Sequence, residues 1–140
     1  IPGSSAGPLH ELYRNDYIRF RPHLTVINLG HNASDEEIGK HVPEMIRLNR
    51  VEGIGTVLVK EANCPWLISP SVSRRLQLME RLAAENHVPL LDLNGYFADP
   101  AIDLTGFIWW DKVHFTDLGH RKAALWLAPR ILELLLRQPT

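Results

Sequence analysis

The sequence predicts an α/β protein built on a parallel sheet, and three observations carry that reading. Residues 24–29, 54–59 and 88–93 form short runs that are almost continuously apolar and rich in β-branched side chains. Longer stretches with apolar residues at helical spacing lie between them. The two kinds of segment alternate along the chain. Continuous rather than every-second-residue apolarity marks strands covered on both faces, the usual condition of a parallel sheet. Alternation of strand and helix then requires right-handed crossovers. In such sheets ligands bind beyond the carboxyl ends of the strands.

Each element has its own signal. Residues 8–20 place Leu9, Leu12, Tyr13 and Tyr17 on one helical face. The first strand run, residues 24–29, ends at Gly30. Ser34-Asp35-Glu36-Glu37 then supplies a cap and an acidic first turn for a helix. Pro43 is expected to divide that segment, opening a second helix with Met45, Ile46 and Leu48 that stops near Gly53. After the strand at 54–59, residues 71–85 repeat the helical pattern with Leu76, Met79 and Leu82. Pro89 suits the start of the third strand rather than its middle. A final helix is expected over 116–136, with Thr116 as its cap.

Composition narrows the class. At 140 residues the chain is expected to be one domain, 1–140, large enough to bury a core. Its 45% hydrophobic and 22% charged residues are ordinary for a globular protein. A net charge of −1 gives no electrostatic case for nucleic acid or an anionic membrane. No apolar run reaches the ~18 residues of a membrane span. The single cysteine, Cys64, excludes an intramolecular disulfide and a cysteine-based metal cluster, and leaves the compartment open. The histidines lack metal-ligand spacing, so no metal site is expected. The chain opens on Ile1-Pro2-Gly3 without a basic-then-apolar leader, which suggests a mature or trimmed start.

Two places carry chemistry. Asp111-Lys112-Val113-His114 puts a carboxylate three residues before an imidazole, ahead of a helix cap. On a loop, that spacing lets the carboxylate hold Nδ1 and leaves Nε2 free to take a proton. Asn32, just past the first strand, can aim its amide into the strand-end crevice and donate to a developing oxyanion, an interaction worth ~3–4 kcal/mol elsewhere. Backbone N–H groups in the turn at Gly3 can supply a further donor. A second pair, Asp117 and His120, overlaps the first but falls inside the last helix, where it reads as a solvated first-turn pair. Trp109 and Trp110 can wall a pocket or enter the core, and His31 can line the crevice.

The order of these pieces resembles the SGNH/GDSL hydrolases. The segments that carry the resemblance are residues 22–32, ending Leu29-Gly30-His31-Asn32, and residues 111–119, Asp-Lys-Val-His-Phe-Thr-Asp-Leu-Gly. The resemblance implies a flavodoxin-like three-layer α/β/α sandwich with a parallel sheet. It implies hydrolysis of carboxylic esters, often of acetyl or short acyl groups, through an acyl-serine, with no metal or organic cofactor. Asn32 would then be the oxyanion-hole amide, Gly3 the oxyanion-hole backbone N–H, His114 the general base and Asp111 its orienting carboxylate.

Two departures shape the expectation. No Gly-Asp-Ser tripeptide occurs, and the glycine block lies at the first residues, so the N-terminal strand and helix of the fold are expected to be missing from this chain. The nucleophilic serine is therefore expected outside the chain or lost, with Ser4 and Ser5 read as turn residues. The second departure is Ala33, which stands where the family's Gly-x-Asn-Asp block has an Asp bracing the turn. The expected partner is a small-molecule or carbohydrate ester. A second copy, or an N-terminal fragment, is expected to complete the sheet. The alternative function is a non-catalytic SGNH-like module that binds an ester or glycan. A nucleotide-binding flavodoxin-like domain is disfavoured because no phosphate-cradling glycine loop appears.

Overall fold

The computed structural model describes residues 4–65, 69–103 and 107–137. Helix α1 (Ala6–Asn15) and a 3₁₀ turn (Tyr17–Phe20) precede strand β1 (Leu24–Asn28). Then follow α2 (Asp35–Val51), β2 (Gly55–Lys60), α3 (Pro70–Glu85) and β3 (Leu90–Asp92). Two short helices, α4 (Leu93–Ala98) and α5 (Pro100–Asp103), lead to the long α6 (Asp117–Leu136). The sheet is parallel in the order β1-β2-β3, with Val26 beside Val57 and Leu58 beside Leu90.

The sheet sorts its side chains into two clusters, as alternation along a strand requires. Ile27 and Leu58 face a layer formed by α1, α2 and α3. Val59 faces Leu93, Phe97, Ile108 and Ala123, which α4, α6 and the segment before α6 supply. The architecture is a three-layer α/β/α sandwich. Its first layer carries a buried polar chain. The Tyr13 hydroxyl bonds Thr25 Oγ1 at 3.0 Å and donates to Asn49 Oδ1, and Asn49 Nδ2 donates to Thr56 Oγ1 at 2.8 Å. Asn49 is wholly buried and Tyr13 and Thr56 nearly so, while Thr25 is half-buried at the strand edge, and this chain ties α1, α2 and two strands together.

Pro43 does not divide α2. The helix runs through it from Asp35 to Val51, and this corrects the expectation of two helices. A proline inside a helix costs ~3 kcal/mol through a lost N–H bond and a clash with the carbonyl four residues back. That carbonyl belongs to Gly39, an exposed residue with open space around it. Ile38, Val42, Met45 and Ile46 lie on both sides of Pro43 and are buried on one continuous face. At ~1.5–3 kcal/mol each, their burial outweighs the proline. Ser34 opens this helix with a reciprocal capping box to Glu37, as its acidic first turn suggests. The first helix is also shorter than residues 8–20, and the third strand is trimmed because Asp92 caps α4 by accepting from Gly95 N at 2.7 Å.

The edge at β1 is open among the described residues. In a parallel pair Val26 and Val57 point to the same face, yet Val57 is fully buried and Val26 is 42% exposed. The second helical layer thus stops over β2. Beside β1 runs a trough of about 360 Å³ lined by Leu9, Tyr13, Tyr17, Leu24, Val26 and Met45, among others. On α6, Leu118, Leu125, Leu132 and Leu136 form a further exposed apolar stripe.

An apolar open edge is a template for pairing with another chain. The 140-residue chain should therefore self-associate at micromolar concentration in sedimentation velocity, and Val26→Lys should shift it toward monomer with unchanged far-UV circular dichroism. Asn49→Ala should lower the unfolding free energy by ~1–3 kcal/mol in urea titration, because it removes the bonds to Tyr13 and Thr56 and leaves the buried Thr56 hydroxyl without its amide donor.

Candidate active site

The Asp111–His114 loop is held at both ends. Trp109 and Phe115 form an antiparallel bridge, and Trp110 N donates to His114 O at 2.8 Å. Thr116 N donates to Ile108 O at 3.0 Å, while its hydroxyl caps α6 by accepting from Gly119 N at 3.2 Å. Gly119 permits this arrangement. A Cβ there would lie 2.4 Å from the Ile108 carbonyl oxygen and 2.8 Å from the Phe115 ring, with a backbone atom that cannot move aside.

Inside the loop, Asp111 uses both oxygens. Oδ1 accepts from the backbone N–H groups of Val113 and His114, each at 2.8 Å. Oδ2 lies 2.8 Å from His114 Nδ1. The bond from His114, then the two backbone N–H groups, hold the Asp111 carboxyl far below the usual carboxylate range. An ionised carboxylate only accepts, so Nδ1 carries the shared proton and Nε2 is left outside the pair. A depressed carboxyl contributes order that is complete above the ordinary carboxylate value and is lost only as pH falls through the lower folded value. The side chains are 53% and 74% exposed, and an ion pair so placed adds little stability. The dyad is open to solvent, and among the described residues His114 Nε2 has no hydrogen-bond partner.

Asn32 lies past the end of β1, exposed, with its amide uncommitted among the described residues. The loop after β2 connects that end of the sheet to the dyad. Asn63 Oδ1 bonds His31 Nε2 at 2.6 Å, and the next residue, Cys64, donates its N–H to Lys112 O at 3.2 Å. Hydrogen bonds therefore run from the Asn32 turn to the loop of Asp111 and His114. Both ring nitrogens of His31 are engaged, Nδ1 with Glu61 Oε2 at 2.8 Å and Nε2 with Asn63. Burial alone would lower the His31 pKa; the Glu61 bond and charge and the Asn63 bond outweigh it and raise it.

The remaining sequence candidates separate. Trp109 packs on Phe97 and Phe115 in the second cluster, with ring centroids 5.8 and 4.5 Å away, whereas Trp110 is 74% exposed. Asp117 opens α6, and His120 Nδ1 lies 3.0 Å from Thr116 O. Gly3 lies outside the described residues. Ser5 is the α1 cap position, and its side chain makes no cap bond to that helix. Glu61 went unseen in the sequence; the only signal for it was a carboxylate directly after a buried strand.

No known family profile matches the sequence, and no curated protein matches it. Solved structures do match in fold. The acetyl xylan esterase AlAXEase superposes with a TM-score of 0.81 at 19% identity, over 94% of this chain and 78% of that one. A lipase/acylhydrolase from Enterococcus faecalis gives 0.73 at 15%, over 92% and 71%. Axe2, an acetylxylan esterase from Geobacillus stearothermophilus, gives 0.75 at 17%, over 95% and 68%. This is an SGNH/GDSL hydrolase-like fold. The three-layer sandwich that the sequence suggests is thus the fold of this chain, and in SGNH-like sheets as in other open α/β sheets the strand ends are where a site is sought.

Gly119→Ala should destabilise the protein by ~1–3 kcal/mol in urea unfolding, the usual cost of overpacking, because the Ile108 carbonyl has nowhere to go.

Proposed function

We propose that residues 1–140 form one SGNH-like domain of a carboxylic-ester hydrolase acting on acetyl or short acyl esters. The observation that carries this reading is the Asp111–His114 pair, bonded at 2.8 Å and joined through the Cys64 loop to the turn that presents Asn32. Structural neighbours that are esterases support hydrolysis of an ester bond as the reaction class.

In the proposed reaction a serine Oγ forms a bond to the ester carbonyl carbon while its proton passes to His114 Nε2. Asp111 keeps the imidazole in the right tautomer and stabilises the imidazolium. Charge developing on the carbonyl oxygen is met by the Asn32 amide, with the Gly3 backbone N–H as second donor. Collapse of the tetrahedral species breaks the bond to the leaving alcohol, which takes the proton from His114. Water, deprotonated by His114, then attacks the acyl-serine, and the carboxylic acid leaves as the serine regains its proton. The role assigned to each residue needs no metal or organic cofactor. Trp110, exposed beside the dyad, is proposed to wall the substrate cleft.

The serine is proposed to come from a segment outside the described residues that pairs along β1 and covers Val26. The alternative reading is a binding module without turnover, the same scaffold with its nucleophile lost.

Hydrolysis of p-nitrophenyl acetate separates the two. The chain alone should turn over little ester, and supplying the serine-bearing segment, fused or as a separate piece, should produce turnover. His114→Ala should then reduce kcat by ~10⁵–10⁶, Asp111→Asn by ~10⁴ and Asn32→Ala by ~10²–10³. Turnover that survives His114→Ala would remove the triad. Absence of turnover with the segment bound, together with saturable binding of acetylated xylo-oligosaccharide in calorimetry, would establish the binding module.

A further inference from the structure

We propose that Glu61 is a positioning residue for the oxyanion donor: with His31 and Asn63 it forms a charged clamp that fixes the turn carrying Asn32. The proposal rests on the reading of Asn32 as that donor. It assigns a function to residues at the end of β2 that do not themselves touch substrate.

One oxygen of Glu61 holds the turn twice. Oε2 accepts from the His31 backbone N–H at 2.8 Å and lies 2.8 Å from His31 Nδ1. On the other side of the ring, His31 Nε2 is 2.6 Å from Asn63 Oδ1. The Asn63 amide is oriented by its own bonds, since Nδ2 donates to Glu61 O at 3.1 Å and only Oδ1 is left for the histidine. Asn63 N in turn donates to Asn94 Oδ1 at 3.2 Å, anchoring the loop to α4. Both ring nitrogens thus face acceptors, an arrangement satisfied fully only by the imidazolium. The His31 and Glu61 side chains are 16% and 26% exposed, so this charged pair sits where screening is weak.

Two neighbours show that the turn is built around this carboxylate. A Cβ on Gly30 would lie 2.4 Å from Glu61 Oε2, so any larger residue would push the clamp out. From the other side, Arg75 of α3 donates Nη1 to Ala33 O at 2.9 Å. His31 and Ala33 are therefore pinned from two different elements, and Asn32 between them stays exposed with its amide uncommitted among the described residues. Ala33 stands where the resembled family carries a bracing Asp. Glu61 supplies a carboxylate to the same turn from the loop that follows β2.

The clamp has a pH signature. The charged groups acting on His31 are Glu61, which favours the cation, and Arg75, which opposes it; the net shift is upward. A raised folded pKa means that the clamp is complete below the ordinary histidine value and loosens as pH rises through the folded value.

Nitrogen-15 NMR of the intact 140-residue chain tests this without requiring turnover. In the wild-type protein the His31 ring nitrogens should titrate above the ordinary histidine value, and the Asn32 backbone and side-chain amide signals should move with the same midpoint. Glu61→Gln should lower the His31 midpoint by ~1–3 units, the size expected when an opposite charge within ~4–6 Å is removed. It should also shift or broaden the Asn32 amide signals. Gly30→Ala, which displaces the carboxylate by a different route, should reproduce both effects, and Glu44→Gln on α2 should produce neither. A Glu61→Gln protein with an unmoved His31 midpoint overturns the clamp. So does one in which His31 moves and Asn32 does not, since the pair would then be a local ion pair. With the serine-bearing segment supplied, Glu61→Gln should reduce kcat with KM within twofold, and Glu61→Asp should recover part of the loss. Lack of ester turnover in the wild-type assembly would sink the hydrolase reading and leave the NMR result standing. Loss of turnover on Asn32→Ala, with unmoved NMR signals in Glu61→Gln, would do the reverse.

Discussion

At the carboxyl end of β2, one short loop bonds both the turn that carries Asn32 and the loop that carries Asp111 and His114. The strand itself is central, paired to β1 and β3, with its four middle residues buried. The chain leaves it as Glu61-Ala62-Asn63-Cys64, of which the last three are buried as well. Glu61 and Asn63 turn to the end of β1 and hold His31. Cys64 turns to the other side and bonds Lys112. Parallel pairing makes this possible, because all three strands end on the same side and their outgoing loops meet there. A shift of one residue in β2 would invert its faces and pull this loop away from both neighbours.

The site combines order with exposure. Asp111 and His114 are largely solvent-exposed, so packing does not hold them. Their geometry comes from short-range covalent and hydrogen-bond constraints: a bridge at the base of the loop, two backbone N–H groups on one carboxylate oxygen, and a capped helix directly after it. Gly119 is the tightest of these constraints, since it lets α6 start against the Ile108 carbonyl. An orienting carboxylate in a working triad is normally buried. The trough beside β1 and the leucines of α6 leave further apolar surface exposed among the described residues.

The two helical layers are uneven, and the polar chain from Tyr13 to Thr56 explains how the first one survives at an open edge. Hydrogen bonds through Asn49 lock α1 to α2 and to both strands where apolar cover is incomplete. Proline is tolerated for a similar reason in α2, where the buried face on both sides of Pro43 outweighs one missing bond. Local preference loses to continuous burial in both halves of that helix.

By itself, the sequence determined whatever depends on nearest neighbours and short spacing. Continuous apolar runs located all three strands of the described sheet. The serine cap at Ser34 and the threonine cap at Thr116 located the starts of α2 and α6. The spacing of Asp111 and His114 was enough to bring carboxylate and imidazole together, because a three-residue turn brings them into reach wherever the loop lies. What the tertiary structure alone decided are relations between distant segments. Glu61 meets His31 across thirty positions of chain, Val26 is exposed while its sheet neighbour Val57 is buried, and Trp109 rather than Trp110 enters the core. None of these has a local signature. A side chain's partner across a parallel sheet is set by register and crossover packing, and those emerge only when the whole core is assembled.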